Sequence, residues 1–139
     1  MIRNFTDAFK AAGYELSSPR TQWSAIRSDG SAVVLTVWSD EIDKSTDPWQ
    51  IDLRNHPRLD VWKSKPGNAI RKKHVRHALD HCGGQVDLIL CKAVDPKANT
   101  RTVEWARPWT ERVGIIKSDE FDQSTGEFRM QLIDRAGLK

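Results

Sequence analysis

The stretch that decides the fold is residues 68–94, NAIRKKHVRHALDHCGGQVDLILCKAV. Asn68 is a residue type that caps helices, and the spacing predicts a helix over Ala69–Cys82. Val75, Ala78, Leu79 and Cys82 fall on its apolar face, with Lys72, Lys73 and Arg76 projecting away and Arg71 at the edge. Gly83-Gly84 is a helix stop. Val86 to Val94 then runs almost without a polar break, as a strand buried on both faces does, so it is expected at the centre of a sheet.

On the N-terminal side, Asn4 caps a short helix with Phe5, Ala8, Phe9 and Ala12 on one face, closed by Gly13. A hairpin follows, Gln22–Arg27 and Ala32–Trp38, with Asp29-Gly30 in its turn. Its second strand is apolar on both faces and belongs inside the sheet. Residues 39–50 read as a polar loop, Trp49 to Leu53 as a short strand, and Pro57–Lys63 as one or two helical turns with Leu59 and Trp62 pointing inward. Pro66-Gly67 reads as a break. On the C-terminal side, Asp95-Pro96 and Asn99 turn the chain. Thr102–Arg107, Arg112–Lys117 and Glu127–Ile133 finish as strands, the last two joined by the turn-rich residues 122–126. The expected class is α+β: a single domain over residues 1–139, built as a curved, mostly antiparallel sheet or small barrel with one main helix and short helices outside.

Composition narrows the function classes. With 38% hydrophobic and 29% charged residues, the chain has the make-up of a folded globular protein. No apolar run approaches the roughly 20 residues of a membrane span, and the first residues carry no signal-peptide core. Two cysteines, Cys82 and Cys91, are too few for a disulfide scaffold; both are expected reduced, in a cytoplasmic protein. The net charge is only +3, yet residues 52–77 hold eight lysines and arginines against two aspartates. A basic segment in an otherwise acidic chain points to one binding face for phosphates, here Arg54, Arg58, Lys63, Lys65, Arg71, Lys72, Lys73 and Arg76. Six tryptophans are more than a core of this size uses, and two of them are expected to line a site.

Catalytic patterns are thin. His74, His77 and His81 form a stripe beside the apolar face of the long helix, but no carboxylate or cysteine from elsewhere completes a zinc set. They are expected to extend the basic surface and titrate near neutral pH; neither metal nor cofactor is expected. Asp87 and Lys92 on the central strand resemble metal-dependent nucleases, whose core strand carries an acid, a spacer and a lysine. Leu90 stands where the second acid belongs, which removes a metal ligand. A degenerate nuclease is therefore the alternative reading, and a protein-binding module or inhibitor a third. No phosphate loop or nucleophile elbow is present.

One segment carries a family likeness. Trp38-Ser39 ends a buried strand, Asp40-Glu41-Ile42-Asp43-Lys44-Ser45 follows, and Trp49 opens the next strand. This resembles the corresponding stretch of PUA-like modified-base readers of the YTH and EVE type, with a departure at Trp38, where those families usually carry lysine. The resemblance implies a PUA-like fold and an aromatic pocket for a flipped or modified base, formed here by Trp23, Trp38, Ser39, Asp40 and Trp49. Asp40 or Glu41 would accept from a cytosine or adenine amino group. The expected function is nucleic-acid binding, DNA rather than RNA, without catalysis and without a membrane partner, as the recognition part of a bacterial defence or modification-dependent system; a protein partner is a further candidate.

Overall fold

A computed structural model describes residues 2–98 and 101–138 of the chain. In chain order the elements are α1 (Phe5–Ala11), β1 (Ser24–Ile26), β2 (Val33–Trp38), a single 3-10 turn (Ser39–Glu41), β3 (Trp49–Asp52), α2 (Leu59–Trp62), α3 (Pro66–His81), β4 (Gln85–Ala93), β5 (Val103–Pro108), β6 (Arg112–Phe121), β7 (Phe128–Asp134) and a closing 3-10 turn (Arg135–Leu138). The strands form one curled, half-barrel mixed sheet in the order β1-β2-β4-β6-β7-β3, with β5 also on β4. The class is α+β, as the sequence predicts. Every pairing between named strands is antiparallel except β2 with β4. That parallel pair is separated in sequence by the long crossover that carries β3, α2 and α3.

The two apolar runs take the central places. β4 pairs with β2, β5 and β6. Alternation along the two strands feeds two cores. Val33, Leu35, Val37, Leu88 and Leu90 join Val75, Ala78, Met130 and Leu132 on one side. Val34, Ile89 and Cys91 join Ala8, Phe9 and Tyr14 beneath α1 on the other. The expected caps of α1 are in place: Asn4 accepts from the Asp7 amide at 2.8 Å, and Gly13 leaves the helix at φ +89°.

Three expectations around the long helix are corrected. Pro66 does not break the chain but starts α3, where a missing N–H costs nothing and its fixed φ suits the first turn. Asn68 is not the cap: it is fully buried and donates to the Lys63 and Thr125 carbonyls at 2.9 and 2.8 Å, tying α3 to the β6–β7 turn. Arg71 is not at an exposed edge; it is 8% exposed and lies on the core face, in phase with Val75 and Ala78. The loop over residues 39–50 is more ordered than its polarity suggests, with the 3-10 turn at its start and an isolated bridge from Asp43 to Gln50. The turn expected at Asn99 lies outside the described residues. Among those described, no helix is long and apolar enough to cross a membrane.

Candidate functional site

The site begins with the way β1 meets β2. The Trp23 carbonyl accepts from both the backbone N–H and the hydroxyl of Thr36, each at 3.0 Å, so Trp23 stands across from Thr36. Strand alternation puts Trp38 on the same face as Thr36. Trp38 is held by the edge of Phe5, with ring centroids 6.1 Å apart. Trp23 lies flat against the first turn of α3, where a side-chain carbon on Gly67 would stand 2.3 Å from the indole. Glycine at 67 therefore leaves the room that the ring occupies.

A third tryptophan enters from α2. Trp62 Nε1–H donates to His56 Nδ1 at 3.2 Å, and the Arg58 amide donates to the same nitrogen at 3.0 Å. Two donors on Nδ1 place the ring proton on Nε2, which donates to Glu41 Oε2 at 2.8 Å. Glu41 ends the 3-10 turn after β2. A chain of contacts thus fixes one carboxylate and one indole at the same opening.

The third component is Arg71. Its guanidinium carbon lies 5.0 Å from the Trp23 ring centre and 5.3 Å from those of Trp62 and Phe128. Nη2 reaches Asn68 Oδ1 at 3.4 Å, while Nε is buried with no hydrogen-bond partner among the described residues. Burial lowers its pKa to about 10, so it remains charged at neutral pH. An unpaired buried cation is costly, and ring faces offset only part of the lost hydration.

These groups surround a pocket of about 330 Å³. Trp23, Trp38 and Trp62 supply its aromatic surface, Arg71 and Glu41 its charges, and Arg20, Arg58, Lys65 and Arg101 further cations. Arg58 donates to the Ala98 and Lys97 carbonyls at 2.6 and 2.5 Å, which fixes its head without neutralising it. Arg101 is neutralised by Asp40 in a two-pronged pair at 3.0 and 2.9 Å and lies 5.2 Å from the Trp38 ring centre.

The sequence-derived site divides accordingly. Trp23, Trp38, Arg58, Lys65 and Arg71 meet at the pocket; Ser39, Asp40 and Trp49 do not line it. Asp40 acts on it through Arg101. Trp49 pairs with Leu132 across β3 and β7 and packs on the core, with Arg112 at 3.9 Å and Lys44 at 4.9 Å from its ring centre. Among the basic residues, Arg54 is tied to Asp52 and Glu120. Lys72 donates to the Ser124 carbonyl, and Arg76 bonds Gln123 and pairs with Asp80. Lys73 is exposed on α3, and Lys63 caps α2; neither lines the pocket.

The other constellations are structural in their contacts. Asp87 accepts from the Tyr14 hydroxyl at 2.7 Å and sits near Arg135 and Arg27, whereas Lys92 pairs with Glu104. The acid and lysine of the nuclease reading therefore serve different partners. Within the histidine stripe, His74 departs from the expected titration near neutral pH. His74 Nδ1 bonds Ser24 Oγ at 2.6 Å, and burial, followed by the positive neighbours His77 and Lys73, lowers its pKa to about 4. His77 bonds the Gly30 carbonyl and lies at a tilt beside His81, with ring centroids 4.8 Å apart. Among the described residues, no group of three or more His, Cys, Asp or Glu could hold a metal ion.

Sequence reasoning passed over His56, Trp62 as a pocket wall, Gly67 and Arg101. For Arg71 a signal existed: it stands four residues before Val75, on the apolar stripe. No family model, curated protein or solved structure matches the chain.

Proposed function

We propose that this protein binds nucleic acid and takes one base out of the stack into the pocket of Trp23, Trp38 and Trp62. The observation that carries this reading is Arg71, a buried cation with an unpartnered Nε at an aromatic pocket. A flat ligand with acceptor atoms supplies what both features lack: faces to stack on the rings and partners for the guanidinium. The cations Arg20, Arg58 and Lys65 at the same opening suit the phosphates on either side of such a base. On this reading the curled sheet is a PUA-like recognition domain, and it recognises rather than cuts. The support comes from the pocket itself and not from Trp49, the wall implied by the resemblance, which lies elsewhere.

The test is equilibrium binding to single-stranded and duplex oligonucleotides over a salt series, with wild type and Trp62→Ala. Loss of a stacking wall should weaken binding about 5- to 100-fold and leave the salt slope nearly unchanged. A folded Trp62→Ala protein with wild-type affinity for every oligonucleotide would falsify the pocket reading.

A further inference from the structure

We propose that the base read in this pocket is guanine, with Arg71 donating to its carbonyl edge and Glu41 accepting from its N–H edge. This rests on the pocket being a base pocket. Arg71 can only donate, and Glu41 as a carboxylate can only accept. Both line the same pocket. Glu41 gives Oε2 to His56 and keeps a partly exposed carboxylate at the pocket. Arg71 lines the pocket with a guanidinium of which only Nη2 has a hydrogen-bond partner among the described residues, its Nε being buried without exposed surface. A ligand in the pocket therefore meets donors on one side and an acceptor on another.

The four bases differ in how well they do this. Adenine has no carbonyl, and its amino group faces a guanidinium N–H with another donor. Thymine and uracil have a single ring N–H between two carbonyls, so a carboxylate that takes that proton also meets two acceptors. Cytosine satisfies Arg71 with its carbonyl and ring nitrogen but offers Glu41 one amino group. Guanine offers O6 and N7 to an arginine and two parallel N–H groups, N1 and N2, to a carboxylate. Only guanine matches a fork of donors with one of acceptors. The larger purine face also suits a pocket with three indoles.

The experiment uses a short strand of abasic sugar phosphates carrying one base at its centre: guanine, hypoxanthine, adenine, cytosine or thymine. An entirely abasic strand is the reference. Guanine should bind tightest, at least about tenfold above adenine and thymine, because leaving a charged partner unpaired is costly. Hypoxanthine, which lacks only the 2-amino group, should bind about tenfold more weakly than guanine. Glu41→Gln, which can still accept from His56, should erase the guanine–hypoxanthine difference while melting as wild type does. Guanine binding no tighter than cytosine or adenine, or no tighter than hypoxanthine, overturns the assignment while a base pocket stands. If no base-bearing strand exceeds the abasic one, the base pocket and the assignment fall together.

Discussion

Two corners of this molecule set an arginine against tryptophan, and they have opposite characters. At the β3–β7 edge, Arg112 lies 3.9 Å from the Trp49 ring centre and donates to the Leu132 carbonyl at 2.9 Å. Among the described residues, none of its nitrogens is buried without a partner, and it lines no pocket there. At the junction of β1, α2 and α3, Arg71 lies beside Trp23 and Trp62 with its Nε unmatched and a pocket before it. Contact between a cation and a ring does not distinguish packing from recognition. The cavity does, because it leaves room for a ligand beside Arg71, and Arg112 does not line it.

The largest expected effect follows from that contrast. Arg71→Met removes a buried unpaired charge and keeps most of the packing volume. It should lower oligonucleotide affinity by about tenfold or more while changing stability by no more than about 2 kcal/mol, because the gain from removing the charge is offset by the loss of the Asn68 Oδ1 partner. Denaturant melts and binding isotherms on the same protein check both halves; a large loss of stability would make Arg71 a structural group like Arg112. Trp49→Ala should do the reverse, costing about 2 kcal/mol of stability with affinity changed less than about twofold.

A smaller effect separates His74 from the basic surface. Its folded pKa of about 4 lies below the ordinary value of 6.5. The unfolded chain therefore takes up a proton at a pH where folded His74 stays neutral. Stability should fall as pH drops from about 6.5 to about 4. His74→Gln should flatten that dependence in thermal melts across the window. The smallest effect is on salt dependence. Lys65→Gln, at the pocket opening, should reduce the slope of log affinity against log salt by about one, whereas Arg76→Gln, held by Asp80 and Gln123, should leave it unchanged.

Much of the fold was legible because burial on two faces writes itself into a strand. Val33–Val37 and Val86–Cys91 carry apolar side chains almost throughout, and both became interior strands. The caps of α1 and the Asp29-Gly30 turn were local signals with local causes. The site was less legible because it is assembled from distant segments. Glu41, His56 and Trp62 meet through hydrogen bonds that no spacing announces. Trp49 stood a suggestive distance after Trp38, but sequence distance says nothing of which strand it pairs with. Its register against Leu132 carries it to another corner. The basic segment also misled, since a count of charges does not separate Arg76, held by Asp80, from Lys65, which lines the pocket. Arg71 was misassigned because charge outweighed helical phase, although phase put it on the core stripe.

On the proposed reading, the pocket corner and not the Trp49 corner receives the ligand. The six tryptophans provide six indole N–H resonances, which can be assigned by single Trp→Phe variants and followed in a nitrogen–proton correlation spectrum during titration with a single-stranded oligonucleotide. Trp23, Trp38 and Trp62 should shift together and saturate, with Trp49, Trp105 and Trp109 nearly still. A saturating shift at Trp49 with the pocket three unmoved would contradict the account.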